Sequence, residues 1–444
     1  MSKALNVAFR ASQAFNQNTT SSLAISAAGE FNGTEAQSQV TLQEAATYSN
    51  LIARVTANTL SGSATLRFRV NGANGNQVVT ITTGLTGQFF DDVNTDICSI
   101  GQTVNMQLIA AAGGTSITLS SKGCSRNQTG KYVSTFACGQ SSNYSSASTK
   151  NFVRIGGSAF LSATESPSAS FRTKVAGTLR YLTVVVFTNG RSTATTCGIR
   201  KNAADGNILL SIAAGATGTF TDNINTDSVA VDDTLGRYVL GGGGAGNFNA
   251  NQRTEFHTTG AVQAVSSNAL VYSTGGSTLY EPIFGSPEAY GTEEHTKARI
   301  TEACTATIAE LHISANATIT NTVLTLRKNG ASTGLTVTVA GGGTGWFENT
   351  ASVALAPGDD INWMIVTGGS GAMTIEHYGL RMNEIPSAGF HPKMIAGDVG
   401  ASVPFRFGES PDQVFLRGTA LAPSTGGTNA PPSPWFWKNR RRSR

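Results

Sequence analysis

Leu324-Thr325-Leu326-Arg327-Lys328-Asn329-Gly330 is the stretch on which the reading of the fold turns. Apolar Leu324 and Leu326 alternate with Thr325 and Arg327, the period-two pattern of a strand with one buried face. Asn329-Gly330 follows, and both residues accept the positive φ of a tight hairpin turn. Leu335-Thr336-Val337-Thr338-Val339 then alternates again, so the segment predicts a β-hairpin. Further on, Thr344-Gly345-Trp346-Phe347 predicts the start of another strand, its Phe plugging a core. Pro357-Gly358-Asp359-Asp360 predicts a turn ahead of the strand Ile361–Val366.

The same pattern occurs twice more. Arg200-Lys201-Asn202-Ala203 and Arg69-Val70-Asn71-Gly72 match the Arg-Lys-Asn-Gly element. In phase behind each Asn stand Thr86-Gly87 with Phe89, and Thr217-Gly218 with Phe220. Asp91, Asp222 and Asn349 follow in the three copies. Upstream, Leu51, Leu182 and Leu311 open similar strands, preceded by Thr34-Glu35, Thr164-Glu165 and Thr292-Glu293. Downstream, Val231-Asp232-Asp233 parallels Gly358-Asp359-Asp360 with a one-residue slip, while the first copy has Gly101-Gln102. The copies are spaced by 131 and 127 residues. That is far beyond the roughly 20–50 residues of a solenoid repeat, so each copy is large enough to own a core. The expected architecture is all-β, with three tandem antiparallel β-sandwich domains of jelly-roll-like type and an extended C-terminal arm. Expected boundaries are 1–135, 136–265 and 266–382, with the arm at 383–444.

Composition points the same way. Only 13% of the 444 residues are charged, 39% are hydrophobic, and glycine occupies 50 positions. A disordered chain needs high net charge, and a coiled coil needs Glu, Lys and Leu, so both are excluded. No apolar run reaches the roughly 18 residues of a membrane helix. The N-terminus lacks the apolar segment of a secretory signal, which predicts synthesis in a cytoplasm. Five cysteines (Cys98, Cys124, Cys138, Cys197 and Cys304) form no C-x-x-C pair, so they predict mostly free, buried thiols; a Cys124–Cys138 disulfide stays open. The net charge is +4, but five cations lie in the last seven residues, leaving the rest of the chain at −1. No broad basic face is expected.

Motifs of known chemistry read as turns. Gly241–Gly246 satisfies G-x-G-x-x-G, but Asn247-Phe248-Asn249 follows it, not the amphipathic helix a pyrophosphate site requires. Gly358-Asp359-Asp360 has a polymerase-like spelling, yet its counterpart Asp232-Asp233 marks it as a structural turn. The acidic pairs Asp91-Asp92, Asp232-Asp233 and Asp359-Asp360 are turn chemistry, with Ca²⁺ binding or paired carboxylate catalysis as the alternatives. Glu35, Glu165 and Glu293 predict a fixed hydrogen bond to a loop, with a ligand role as the alternative. His257, His295, His312, His377 and His391 show no metal or triad spacing. No catalytic residue, cofactor or metal ligand is expected.

The sharpest local signal is the terminus. Trp435, Phe436 and Trp437 stand beside Lys438, Arg440, Arg441, Arg442 and Arg444. Large aromatics are favoured interface anchors, and the cations suit acidic protein surfaces or phosphates. We read these residues as a partner anchor for a neighbouring protein, with nucleic acid contact through this tail or a solvated end as alternatives.

The repeat resembles the β-sandwich modules found in tandem in virion proteins of tailed bacteriophages, such as tail fibres, head fibres and decoration proteins. Leu324–Gly330, Thr344–Phe347 and Val353–Asp360 carry the resemblance most clearly, and it extends over about residues 30–382. It implies a non-enzymatic virion structural protein that assembles with other virion proteins and copies of itself, a trimer being one form, with no membrane. The alternative is a carbohydrate- or receptor-binding adhesin, for which Trp346 and Tyr378 would supply an exposed aromatic platform against a host receptor or glycan.

Overall fold

The hairpin turns are where the sequence places them. Asn71-Gly72, Asn202-Ala203 and Asn329-Gly330 all have positive φ, between 50° and 78°. This is the mirror-image turn whose twist suits a two-residue hairpin. The computed structural model describes residues 2–384, apart from positions 24, 26–30, 33, 129–131, 139–146, 154–160, 166–168, 273–275 and 285–290. The arm from 385 onward lies outside the described residues.

Eight principal strands build each repeat among the described residues. The first repeat has β1 (Ser2–Asn16), β2 (Thr20–Leu23), β3 (Ala46–Leu60), β4 (Ala64–Val70), β5 (Ala73–Ile81), β6 (Gly87–Cys98), β7 (Thr103–Ile109) and β8 (Gly114–Gln128). The second has β9 (Tyr132–Cys138), β10 (Lys150–Val153), β11 (Gly177–Asn189), β12 (Thr195–Lys201), β13 (Ala204–Ile212), β14 (Gly218–Asp222), β15 (Thr234–Leu240) and β16 (Phe248–Thr258). The third has β17 (Ala261–Tyr272), β18 (Thr278–Glu281), β19 (Cys304–Asn316), β20 (Thr322–Lys328), β21 (Ala331–Val339), β22 (Gly345–Leu355), β23 (Asp360–Val366) and β24 (Met373–Glu384).

Strand order is the same in all three. One antiparallel sheet runs first–eighth–third–sixth, and the facing sheet runs second–seventh–fourth–fifth. Eight strands wound into two sheets with that interleaving are a jelly roll. Short strands between the second and third lie against the seventh, for example Ser170–Arg172 on β15 and Ala298–Arg299 on β23. β9 and β17 run across positions 135/136 and 265/266, where the sequence suggests boundaries, and each pairs with the eighth strand of the following repeat.

Three separate cores fill the sandwiches, one per repeat. The alternating residues supply them: Leu66 and Phe68, Cys197 and Ile199, and Leu324 and Leu326 are all buried. Phe89, Phe220 and Phe347 pack against the three cores from a half-buried position. The glycine of each Thr-Gly-x-Phe element has φ between 102° and 109°, with open space where a Cβ would stand. Backbone conformation, not crowding, therefore requires glycine there. Sheet pairing refines one sequence alignment. Asp91 and Asp222 pair with Leu51 and Leu182, but Asn349 pairs with Ala309, so the third-repeat counterpart is Ala309 and not Leu311. Asn58, Asn189 and Asn316 confirm this frame, because each side-chain amide donates to the same two carbonyls of the next hairpin.

Candidate functional site: the junctions between repeats

The repeated polar residues hold loops. Arg69, Arg200 and Arg327 stand just before the hairpin turns, and each makes a two-pronged pair with Glu35, Glu165 and Glu293, respectively. The Nε–Oε1 distances are 2.9, 3.0 and 3.0 Å. Each guanidinium also donates to a turn carbonyl, of Gly72, Ala203 or Gly330. The planar fork of Arg suits this bidentate grip. Its hydrogen bond holds the Glu35 carboxyl below the usual range, against the upward push of burial.

The acidic pairs are turn chemistry as well. Asp359 accepts from the Ala356 N–H (2.7 Å) and Asn329 Nδ2 (2.7 Å). Asp233 accepts from the Ala230 N–H (2.8 Å) and Asn202 Nδ2 (2.6 Å). Gln102 does the equivalent work in the first repeat, taking the Ser99 N–H at 2.7 Å. Asp91 accepts three backbone N–H groups, from Val78, Val93 and Asn94, and Asp222 three from Leu209, Ile224 and Asn225. Burial pushes both carboxyls up, but these donors hold them below the usual range. Among the described residues no group of three or more His, Cys, Asp or Glu could hold a metal ion. The Gly241–Gly246 segment is a loop leading into β16, and its glycines allow close approach: a Cβ on Gly242 would stand 2.1 Å from the Thr193 carbonyl oxygen.

Polar residues that do not repeat converge elsewhere, where the repeats meet. In each case the connection between the second and third strands of one repeat docks on the first–eighth–third–sixth sheet of another. From the first repeat, Glu44 accepts from the Tyr181 hydroxyl (3.0 Å) and Arg180 (3.3 Å) of β11. From the second, Arg172 reaches Glu310 of β19 (3.2 Å) and Glu348 of β22, and Lys174 pairs with Glu348. From the third, Glu294 holds Arg54 of β3, whose Nη1 also donates to the Glu294 carbonyl (2.8 Å). Asp360 lies 3.7 Å from the same guanidinium, and Arg299 sits 4.6 Å over the Phe90 ring. The contacts thus run first to second, second to third and third back to first. Heterologous contacts of one sense that return to the start close a ring, here within a single chain.

The most buried junction group is Glu255 on β16. It is fully buried and takes Arg126 of β8 at 2.7 Å, His257 at 3.1 Å and Arg253 at 3.5 Å. Burial alone would raise its pKa, but the Arg126 charge, the His257 hydrogen bond and the Arg253 charge hold it far below the usual carboxylate range. Glu310 behaves oppositely. Its burial outweighs Arg172 and Lys174 and pushes its carboxyl up to about 7. Gln263 of β17 threads this junction, accepting from the Lys174 N–H (2.6 Å) and donating to the Arg172 carbonyl (3.0 Å) and Glu310 (3.1 Å).

This geometry corrects the aromatic platform expected of an adhesin. Tyr378 is fully buried, sharing its hydroxyl with Tyr272, so it cannot meet a ligand. Trp346 is half-buried in the junction, stacked on His377 with ring centroids 5.9 Å apart and capped by Arg172 at 5.0 Å. Cys124 is a buried free thiol, so the Cys124–Cys138 disulfide is not formed. The expected anchor, Trp435, Phe436, Trp437, Lys438, Arg440, Arg441, Arg442 and Arg444, lies outside the described residues. The junction residues gave one signal in sequence: Arg54 and Glu310 break the apolar run of the third strand, at positions where burial is expected.

No protein-family model matches the chain, and no curated protein matches it. Solved structures of viral proteins show limited similarity. "The Triple Jelly Roll Fold and Turret Assembly in an Archaeal Virus" aligns over 78% of this chain and 81% of its own, at 13% identity and a TM-score of 0.20. The atomic structure of Sulfolobus Turreted Icosahedral Virus aligns over 84% and 91%, at 13% identity and a TM-score of 0.19. The infectious bursal disease virus VP2 subviral particle aligns over 58% and 74%, at 14% identity and a TM-score of 0.19. Superposition at this level carries no argument, so the fold assignment rests on the strand order above.

Proposed function

We propose that the chain is a non-enzymatic structural component of a virus particle, of the fibre, decoration or tail type found in tailed bacteriophages. One observation carries the reading: the recurrent polar side chains are spent on turns, and non-recurrent buried charges, Arg54, Arg126, Glu255 and Glu310, on holding three jelly rolls together. Carboxylates that recur in two or all three repeats are engaged by Arg or by backbone N–H groups. Among the described residues no helix is long and apolar enough to cross a membrane. In this reading the three repeats act as domains of a rigid block, divided ahead of β9 and β17 and not within them as the expected boundaries 135/136 and 265/266 would have it. The arm at 383–444 ties the block to other virion proteins or to further copies of the chain through Trp435–Trp437 and the basic cluster. Quantitative mass spectrometry of gradient-purified particles tests it. A constant copy number that survives high-salt washing supports the reading. Absence from particles, with recovery on cell envelopes, contradicts it.

A further inference from the structure

We infer that two buried ionisable groups, Arg54 and Glu310, each met by opposite charges across a junction, fix the order of the three repeats around the ring and keep each repeat from docking on another copy of the chain. The equivalent positions make the case. On the sheet that receives its neighbour, Glu310 of the third repeat corresponds to Ile52 and Thr183, and Arg54 of the first corresponds to Val185 and His312. The docking connections differ in the same way. Arg172 corresponds to Arg299 and Thr41, each paired to the start of its seventh strand, which places Lys174 opposite Thr301 and Gln43. Asp360, which meets Arg54, corresponds to Thr103 and Thr234.

Each buried charge therefore finds its full complement on one neighbour only. The Arg54 side chain is 1% exposed and meets Glu294 and Asp360, which the third repeat alone supplies. Glu310 is 3% exposed and meets Arg172 together with Lys174, a pair of cations that the second repeat alone supplies. An arginine in the right place is not sufficient, since Arg299 of the third repeat rests on Phe90 in the position where Arg172 meets Glu348. A wrong order would leave the Arg54 guanidinium, which cannot neutralise itself, buried without its carboxylates, which disfavours it by on the order of a hundredfold or more. Matched apolar residues would pack without that penalty and without that discrimination.

Three variants of the full chain separate order from simple adhesion. Arg172→Glu/Lys174→Glu should raise hydrogen exchange in β19 and β22 by about a hundredfold or more. Adding Glu310→Lys/Glu348→Lys should restore protection to within about tenfold. Unchanged exchange in the first variant overturns the inference, as does failure of the second to fold or to regain protection. In a third variant Arg172, Lys174, Glu310 and Glu348 are all replaced by Met. After refolding from denaturant, native mass spectrometry should show dimers and larger species, where the natural chain returns to monomer. A Met variant that refolds to monomer with the natural exchange pattern overturns the inference.

Discussion

Replacing Glu255 by Gln should loosen the junction between the first and second repeats more than any comparable change at a repeated Glu. The substitution keeps shape and removes one charge, so packing is nearly constant. What remains is Arg126, 3% exposed, facing Arg253 and His257 with no carboxylate between them. Breaking a buried pair from one side costs about 3–5 kcal/mol, because the surviving charge stays desolvated. Each repeat has its own core, so the loss should appear as earlier opening of the junction and not as collapse of a sandwich. Urea unfolding combined with hydrogen exchange of β8 and β16 reads both quantities. Adding Arg126→Leu should return at least about 1 kcal/mol, since contacting residues couple by about 0.5–3 kcal/mol. A loss below about 1 kcal/mol for Glu255→Gln, or strict additivity with Arg126→Leu, would refute the reasoning.

Glu310 should make stability depend on pH. Its folded pKa of about 7 lies above the ordinary 4.5. The folded state therefore binds the proton more tightly, and stability is fully present below pH 4.5 and lost as pH rises through about 7. The shift corresponds to about 3 kcal/mol, and Glu310→Gln should flatten this slope in pH-dependent denaturation; an unchanged slope counts against the assignment. Ala203 holds a φ of 61° at the position that glycine occupies in the other two turns, so Ala203→Gly should raise stability by up to about 1 kcal/mol in thermal unfolding, and a net loss would contradict the strain. Glu293→Gln should cost about 1–2 kcal/mol by weakening the Arg327 fork, and no measurable change would show that the fork is solvated. Deleting residues 430–444 should leave the sandwiches folded by circular dichroism but absent from purified particles, whereas normal incorporation would remove the anchor role.

Much of the fold was legible because repetition exposes it. Period-two alternation around Leu66, Cys197 and Leu324 marks strands, and Asn-Gly or Asn-Ala marks the turns between them. Local rules of this kind read turns and faces well. They misplaced Leu311 by two residues, because Ala309 and Leu311 lie two apart on one strand and are both buried, so period two alone does not choose between them. They also misread Tyr378 as a surface platform, since a Tyr on a strand gives no sign of which sheet face is covered. The junctions were illegible for a deeper reason. Arg54 and Glu294 are 240 residues apart, and their contact depends on how finished sandwiches pack, not on any local pattern. Non-recurrent charges within a recurrent strand are the trace such packing leaves in sequence.

Closure of the ring is the central claim, and the contact from the third repeat back to the first tests it most directly. The Ser125 and Thr301 hydroxyls lie 3.2 Å apart across that contact. A Ser125→Cys/Thr301→Cys variant, oxidised at low concentration and examined by peptide mapping, should form a disulfide within one chain, since the bond tolerates only short, specific separations. Two free thiols, or a bond only between different chains, would mean that the sandwiches are strung in a line and that the ring does not close.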